Sequence, residues 1–296
     1  MHAFRLSTLA VALALAAFAS APTRAQTVTL RFAAEFGGRP FTCGQTYRLG
    51  TPPAVVAPTD LRFYVTALEL LRADGSAVPL VLTDDGVWQG QGVALLDFEN
   101  ATGPCASGGS PATNKTVRGN APAGDYTGLR FQLGVPDAVD HQDVTVAAAP
   151  LNVTAMFWVW QAGYKFLKAD FQVRDASHGA ARPGQGTGFS LHLGSTMCVS
   201  ASPTEPGHDC LNPNRPTITL TGFDPTRGEV VLDLAPVLAR VDLRYNTPNT
   251  APGCMSAPDD PECLRVLPPM GVPVGGKPAE RQLMFKARTE PRVVSR

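Results

Sequence analysis

Apolar and polar residues alternate along much of this chain, and few stretches longer than two turns carry a helical stripe. Thr27 to Phe36 (TVTLRFAAEF) has the period of a half-buried strand. Leu61 to Leu71 (LRFYVTALELL) repeats it, with Phe63, Val65 and Ala67 on one face. The turn Ala73-Asp74-Gly75 then leads into Val78 to Leu82, which predicts a hairpin. Further strands are expected at Val93–Phe98, Leu129–Leu133, Met156–Trp160, Tyr164–Val173, Gly188–Leu193, Thr217–Thr221, Val230–Leu234 and Val237–Tyr245. Many short strands, turn signals between them and no internal repeat point to an all-β protein, an antiparallel β-sandwich of immunoglobulin-like type with long loops. No linker divides it, so one domain over residues 26–285 is expected, followed by a polar, disordered tail from 286 to 296.

The N-terminus breaks the pattern. Arg5 precedes the apolar run Leu6 to Phe18, and small residues lead to Thr23-Arg24-Ala25 before Gln26. Basic flank, short apolar run and small-residue exit are the parts of a secretory signal peptide, here residues 1–25. The run is too short to span a bilayer permanently, and nothing later is long and apolar enough to do so. Export to the periplasm is the expected destination.

Composition narrows the partners. Removing residues 1–25 turns 25 basic and 25 acidic residues into 23 and 25. A nearly neutral chain with no basic stripe offers no electrostatic reason to bind nucleic acid or an anionic membrane. The six cysteines (Cys43, Cys105, Cys198, Cys210, Cys254 and Cys263) contain no CxxC pair and lack zinc-ribbon spacing. In an oxidising compartment they are expected to form three disulfides, for which six cysteines formally allow fifteen pairings. Short, turn-rich intervals favour Cys198–Cys210 and Cys254–Cys263, leaving Cys43–Cys105.

Chemistry is sparse. No G-x-S-x-G, P-loop or dinucleotide fingerprint occurs, and the pairs Asp84-Asp85 and Asp259-Asp260 sit in turn-like sequence. His178 and His208 lie in polar loops. His141 follows the strand containing Phe131 and Leu133, whereas His192 lies inside Phe189-Ser190-Leu191-His192-Leu193 on a strand that runs into Cys198. Imidazoles held on framework elements suit copper, zinc, iron or nickel. The same two residues equally fit one histidine capping a loop and one hydrogen-bonded in the core. Trp158 and Trp160 are two apart and on a strand would share a face, as core or as a stacking platform.

These segments resemble the MbnP-like family of periplasmic copper-binding proteins, also described as the four-Cys partner of a metallo-mystery pair. The resemblance runs in order through Leu61-Arg62-Phe63-Tyr64-Val65, Ala94-Leu95-Leu96-Asp97-Phe98, Pro122-Ala123-Gly124-Asp125-Tyr126 and Leu129-Arg130-Phe131. It continues through Gly134-Val135-Pro136 with His141-Gln142-Asp143, Met156-Phe157-Trp158-x-Trp160-Gln161-x-Gly163-Tyr164-Lys165-Phe166, His192-Leu193-Gly194-Ser195-Thr196 with Cys198, and Gly253-Cys254-Met255-Ser256 with Cys263.

The resemblance implies a β-sandwich holding one copper ion through two histidines and a tryptophan oxidised to kynurenine by a partner di-haem enzyme of the MauG or cytochrome c peroxidase type. His141 and His192 are then the ligands, and Trp158 or Trp160 is the modified residue. Trp158 is favoured as the nearer in sequence to the His141 loop; Met197 has the softness for a Cu(I) contact, but a packed or exposed methionine is the better expectation. A role in copper acquisition or handling, rather than an enzyme activity, follows, and a copper acceptor or outer-membrane transporter would complete it. Two other classes stay open at this point: a metal-free carbohydrate- or protein-binding sandwich that stacks ligands on Trp158 and Trp160, and a copper oxidase or oxygenase.

Overall fold

A computed structural model describes residues 24–159, 161–175, 188–202 and 204–290. Two sheets face each other. One is built around Ala25–Phe36, which pairs with Thr116–Pro122 on one side and with Glu229–Asp233 on the other. The second is built around Ala54–Leu71, an 18-residue strand flanked by Gly128–Leu133 and Leu167–Val173. Thr217–Thr221 extends it beyond the first of these neighbours, and Gly188–Leu193 beyond the second.

Alternation explains which faces meet. Val28, Leu30, Phe32 and Ala34 are buried while the residues between them are half-buried. Phe32 lies 6.1 Å from both Phe63 and Phe131, and Phe285 lies 5.5 Å from Phe63 and 5.2 Å from Phe131, all edge to face. Two rings from each sheet thus interlock, a geometry that adds roughly 0.5–1.5 kcal/mol per pair beyond area burial.

The long strand accommodates its length by bending. Register with Leu167–Val173 shifts where Asp170 faces Asp60 but Phe171 faces Pro58, so Thr59 is the extra residue. Proline has no N–H to give a ladder, and a bulge is where a strand tolerates it. A second shift against Gly128–Leu133 coincides with Ala67 at φ +49.

Both sheets are mixed, because Ala25–Phe36 runs parallel to Glu229–Asp233 and Gly188–Leu193 parallel to Gly253–Cys254. Most expected strands are present. Val78–Leu82 divides: Ala77–Pro79 completes the hairpin on Ala54–Leu71, while Val81–Leu82 crosses to pair with Thr116–Pro122 in the other sheet. Val237–Tyr245 is no strand; Ala235–Leu238 is a helical turn begun by a proline near its start, and turns follow. The expected domain edge at 285 falls inside the strand Phe285–Arg288, which pairs with Glu229–Asp233. Lys286 reaches Asp233 at 3.0 Å, and Arg288 pairs with Glu229 at 2.6 Å and with Glu35. Charge ties this polar segment to the sheet.

The three disulfides are Cys43–Cys105, Cys198–Cys210 and Cys254–Cys263, as the short intervals favoured. None of the described helices is long and apolar enough to cross a membrane.

Candidate metal centre

His192 sits on Gly188–Leu193 directly opposite Lys168, and Asp170 sits opposite Ser190 on the same pair of strands. That register brings the Asp170 carboxylate diagonally to the imidazole, with Oδ1 2.7 Å from Nε2. Burial alone would raise the Asp170 carboxyl; the His192 hydrogen bond and charge, with Lys168, overcome it and hold the group well below the usual carboxylate range. The other ring nitrogen, Nδ1, is buried and has no hydrogen-bond partner.

The carboxylate is itself anchored. Lys168 contacts Asp170 at 3.1 Å and also pairs with Asp60. Asp60 receives two hydrogen bonds from Arg62, at 2.9 and 2.8 Å. Arg62 continues to the Gly108 carbonyl at 2.7 Å, to Glu99 at 3.3 Å and to Asp97 at 3.8 Å. These residues pair in register across three strands, Asp60 opposite Asp170 and Arg62 opposite both Lys168 and Asp97. Alternating charges therefore form one row, buried at Glu99, Asp97, Arg62 and Asp60 and half-buried at Lys168 and Asp170, that ends at the imidazole.

Met156–Trp160 is not the expected strand. Thr154–Met156 is a turn of 3-10 helix, followed by a tight hairpin in which Trp158 N donates to Gly163 O at 3.1 Å and Gly163 N to Val159 O at 2.8 Å. Gly163, at φ +70, closes it. Lys165 braces the entry by donating to the carbonyls of Ala155 and Phe157, and burial brings its ammonium down to about 8. Trp158 lands beside His192, ring centroids 6.3 Å apart and tilted by 49°. Trp160 lies outside the described residues.

His141 ends a short helical turn, Asp137–Asp140, and is buried. Its Nε2 lies 3.5 Å from Cys210 Sγ and 3.7 Å from Asp140 Oδ2. Asp140 ties the two histidine segments together: its carboxylate accepts from Ser195 Oγ at 2.9 Å, three residues after His192, and from Tyr164 N at 3.0 Å. Burial pushes that carboxyl up, partly opposed by the Tyr164 hydrogen bond and by His141. The Trp158 hairpin is gripped from both sides. A Cβ on Gly194 would sit 2.5 Å from Trp158 Cζ3, and one on Gly207 would sit 2.5 Å from Gln161 O and 3.0 Å from the His141 ring.

His141, Cys198 and Cys210 also bring potential ligand atoms within 4.8 Å of one another. Both sulfurs are bonded to each other, so they offer no thiolate, and thiolate is the form that ligates. What this trio shows is an imidazole packed on a disulfide. Met197 is 57% exposed beside it, His208 is largely exposed and paired with Asp209, and His178 lies outside the described residues.

Asp170, Asp140 and Ser195 had no individual signal in the sequence. Lys168-Ala169-Asp170 is the charged alternation of an ordinary solvated strand face, and only pairing with Asp60-Leu61-Arg62 reveals that these charges meet partners across the strands.

A mixed-sheet β-sandwich stapled by three disulfides, with an imidazole braced by carboxylate beside an indole, defines the class. The chain belongs to the MbnP family, whose profile matches residues 25–256. It is similar in structure to MbnP from Methylosinus trichosporium, with a TM-score of 0.78 and 32% identity over 90% of this chain and 100% of that one. A search of curated proteins returned no match.

Proposed function

We propose that this chain is an exported, periplasmic copper-binding protein whose ion is held by His141, His192 and the oxidised side chain of Trp158. The observation that carries this reading is Trp158 packed beside His192, with Asp140 and Ser195 linking the His141 segment to the same neighbourhood. Closed indole has an N–H donor and no lone pair for a metal. A di-haem partner enzyme and peroxide would open the pyrrole ring: two oxygen atoms are added, and hydrolysis then releases the formyl carbon as formate. The resulting kynurenine carries an aryl amine whose lone pair, with two imidazoles, suits copper better than a hard cation. Trp158 is favoured for the modification because its ring lies beside His192. Modification therefore gates affinity, and the protein handles copper rather than turning over a substrate.

Mass spectrometry of the peptide Met156–Lys165 tests this, with protein made alone compared with protein treated by the di-haem enzyme and peroxide. Treated protein is expected to gain two oxygens and lose one carbon monoxide at Trp158, and to bind Cu(I) far more tightly. Tight copper binding with both tryptophans intact refutes the gating. If copper does not bind at all while oligosaccharides shift the tryptophan fluorescence, the stacking alternative takes its place.

A further inference from the structure

We propose that Asp170 is the positioning residue of this centre: it keeps the His192 proton on Nε2, so that Nδ1 is the atom that meets the ion. The inference rests on the reading of His192 as a ligand and specifies how that ligand works. A neutral imidazole has one N–H and one lone pair, and a carboxylate can only accept. With Asp170 Oδ1 2.7 Å from Nε2, the hydrogen belongs on Nε2 and the lone pair on Nδ1. Nδ1 is buried without any hydrogen-bond partner, an arrangement that a polar atom in a protein interior rarely keeps unless something else completes it. A metal ion would do so.

The carboxylate cannot turn away to release the ring. Lys168 holds it at 3.1 Å, Lys168 also pairs with Asp60, and Arg62 clasps Asp60 through two hydrogen bonds. Strand register repeats the constraint in the backbone, with Lys168 opposite His192 and Asp170 opposite both Ser190 and Asp60. Carboxylates hydrogen-bonded to ligating imidazoles orient the ring and raise its basicity, and losing one costs about 10- to 100-fold in metal affinity. Because Nδ1 is the nitrogen adjacent to the side-chain attachment, coordination through it seats the ion close to the strand rather than beyond the ring.

The test uses full-length mature protein treated with the di-haem enzyme and peroxide, with labelled imidazole nitrogens, and Ag(I) as a diamagnetic probe. In the metal-free protein His192 is expected to show a protonated Nε2 and an unprotonated Nδ1. On adding Ag(I), Nδ1 is expected to shift and acquire coupling to silver, while Nε2 keeps its proton. Asp170→Ala should scramble the tautomer and weaken Cu(I) binding about 10- to 100-fold. Asp170→Asn, whose amide oxygen can still accept, should restore the tautomer and much of the affinity. Silver coupling at Nε2, or an unchanged tautomer and affinity in Asp170→Ala, overturns the assignment. If Ag(I) perturbs neither His192 nitrogen in wild-type protein, the ligand role of His192 fails as well, and the assignment with it.

Discussion

Gly194 shows how little room the centre leaves. It directly follows the strand that carries His192, and its missing side chain is the space into which the Trp158 ring fits. A Cβ there would come within 2.5 Å of Cζ3 and 2.7 Å of the Tyr164 carbonyl, and the latter is backbone that cannot move alone. Gly194→Ala is therefore expected to push the hairpin away from His192 and to cost about 1–3 kcal/mol, the usual range for overpacking. Urea denaturation followed by tryptophan fluorescence measures both effects; a variant with wild-type stability and emission would mean the ring has slack that this geometry denies. At this scale the sequence is a partial guide. His192 stood out because histidines are scarce in this chain and this one lies on a strand that runs into Cys198. Gly194 and Asp170 did not, since their roles depend on residues distant in the chain that only folding brings near.

Among the elements, strands were the most legible, because a two-residue period survives in any half-buried sheet. The failures have a common cause. Met156–Trp160 and Val237–Tyr245 are apolar enough to suggest strands, yet Thr154–Met156 is a 3-10 turn and Ala235–Leu238 a helical turn, whose Met156, Val237 and Leu238 are buried without joining a strand. The covalent staples were legible from cysteine spacing, but their purpose was not. Cys43–Cys105 pins the turn Gly103–Ser107, and the next residue, Gly108, gives its carbonyl to Arg62. The bridge therefore fastens the cover over the buried charges. Its sequence separation is 62, against 9 for Cys254–Cys263. Chain-entropy bookkeeping gives about 4 kcal/mol for the long loop and about 3 kcal/mol for the short one. The paired Cys43→Ser, Cys105→Ser variant should thus lose more stability in equilibrium denaturation than Cys254→Ser, Cys263→Ser. The reverse order would mean that the cover is held mainly by its hydrogen bonds.

For the molecule as a whole, one face of the second sheet packs the aromatic core, and the other carries the row of charges from Glu99 and Asp97 through Arg62, Asp60, Lys168 and Asp170 to His192. Taking so many charges out of water is costly even when they are paired, and the cost falls where the negative charges are most crowded. That place is Asp97. Burial raises its carboxyl to about 7; Arg62 opposes the rise, while Glu99 and Asp60 add to it. Asp97 also faces the Ser110 hydroxyl, and Glu99 N donates to it at 3.2 Å. A carboxyl that binds its proton more tightly folded than unfolded contributes stability that is fully present below about pH 4 and is lost as pH rises through about 7. Asp97→Asn keeps the shape and an acceptor but cannot ionise, so it does not follow this loss. The stability of wild-type protein relative to Asp97→Asn should therefore decline between about pH 4 and 7, by on the order of 4 kcal/mol at 1.36 kcal/mol per tenfold change in proton affinity. Thermal or urea denaturation of both proteins at half-unit pH steps measures the difference directly. A gap that stays flat across that window would show that water or Arg62 compensates the charge fully. A gap that moves in the opposite direction would place Asp97 among the ordinary salt-bridged carboxylates, with the crowding in this row relieved elsewhere.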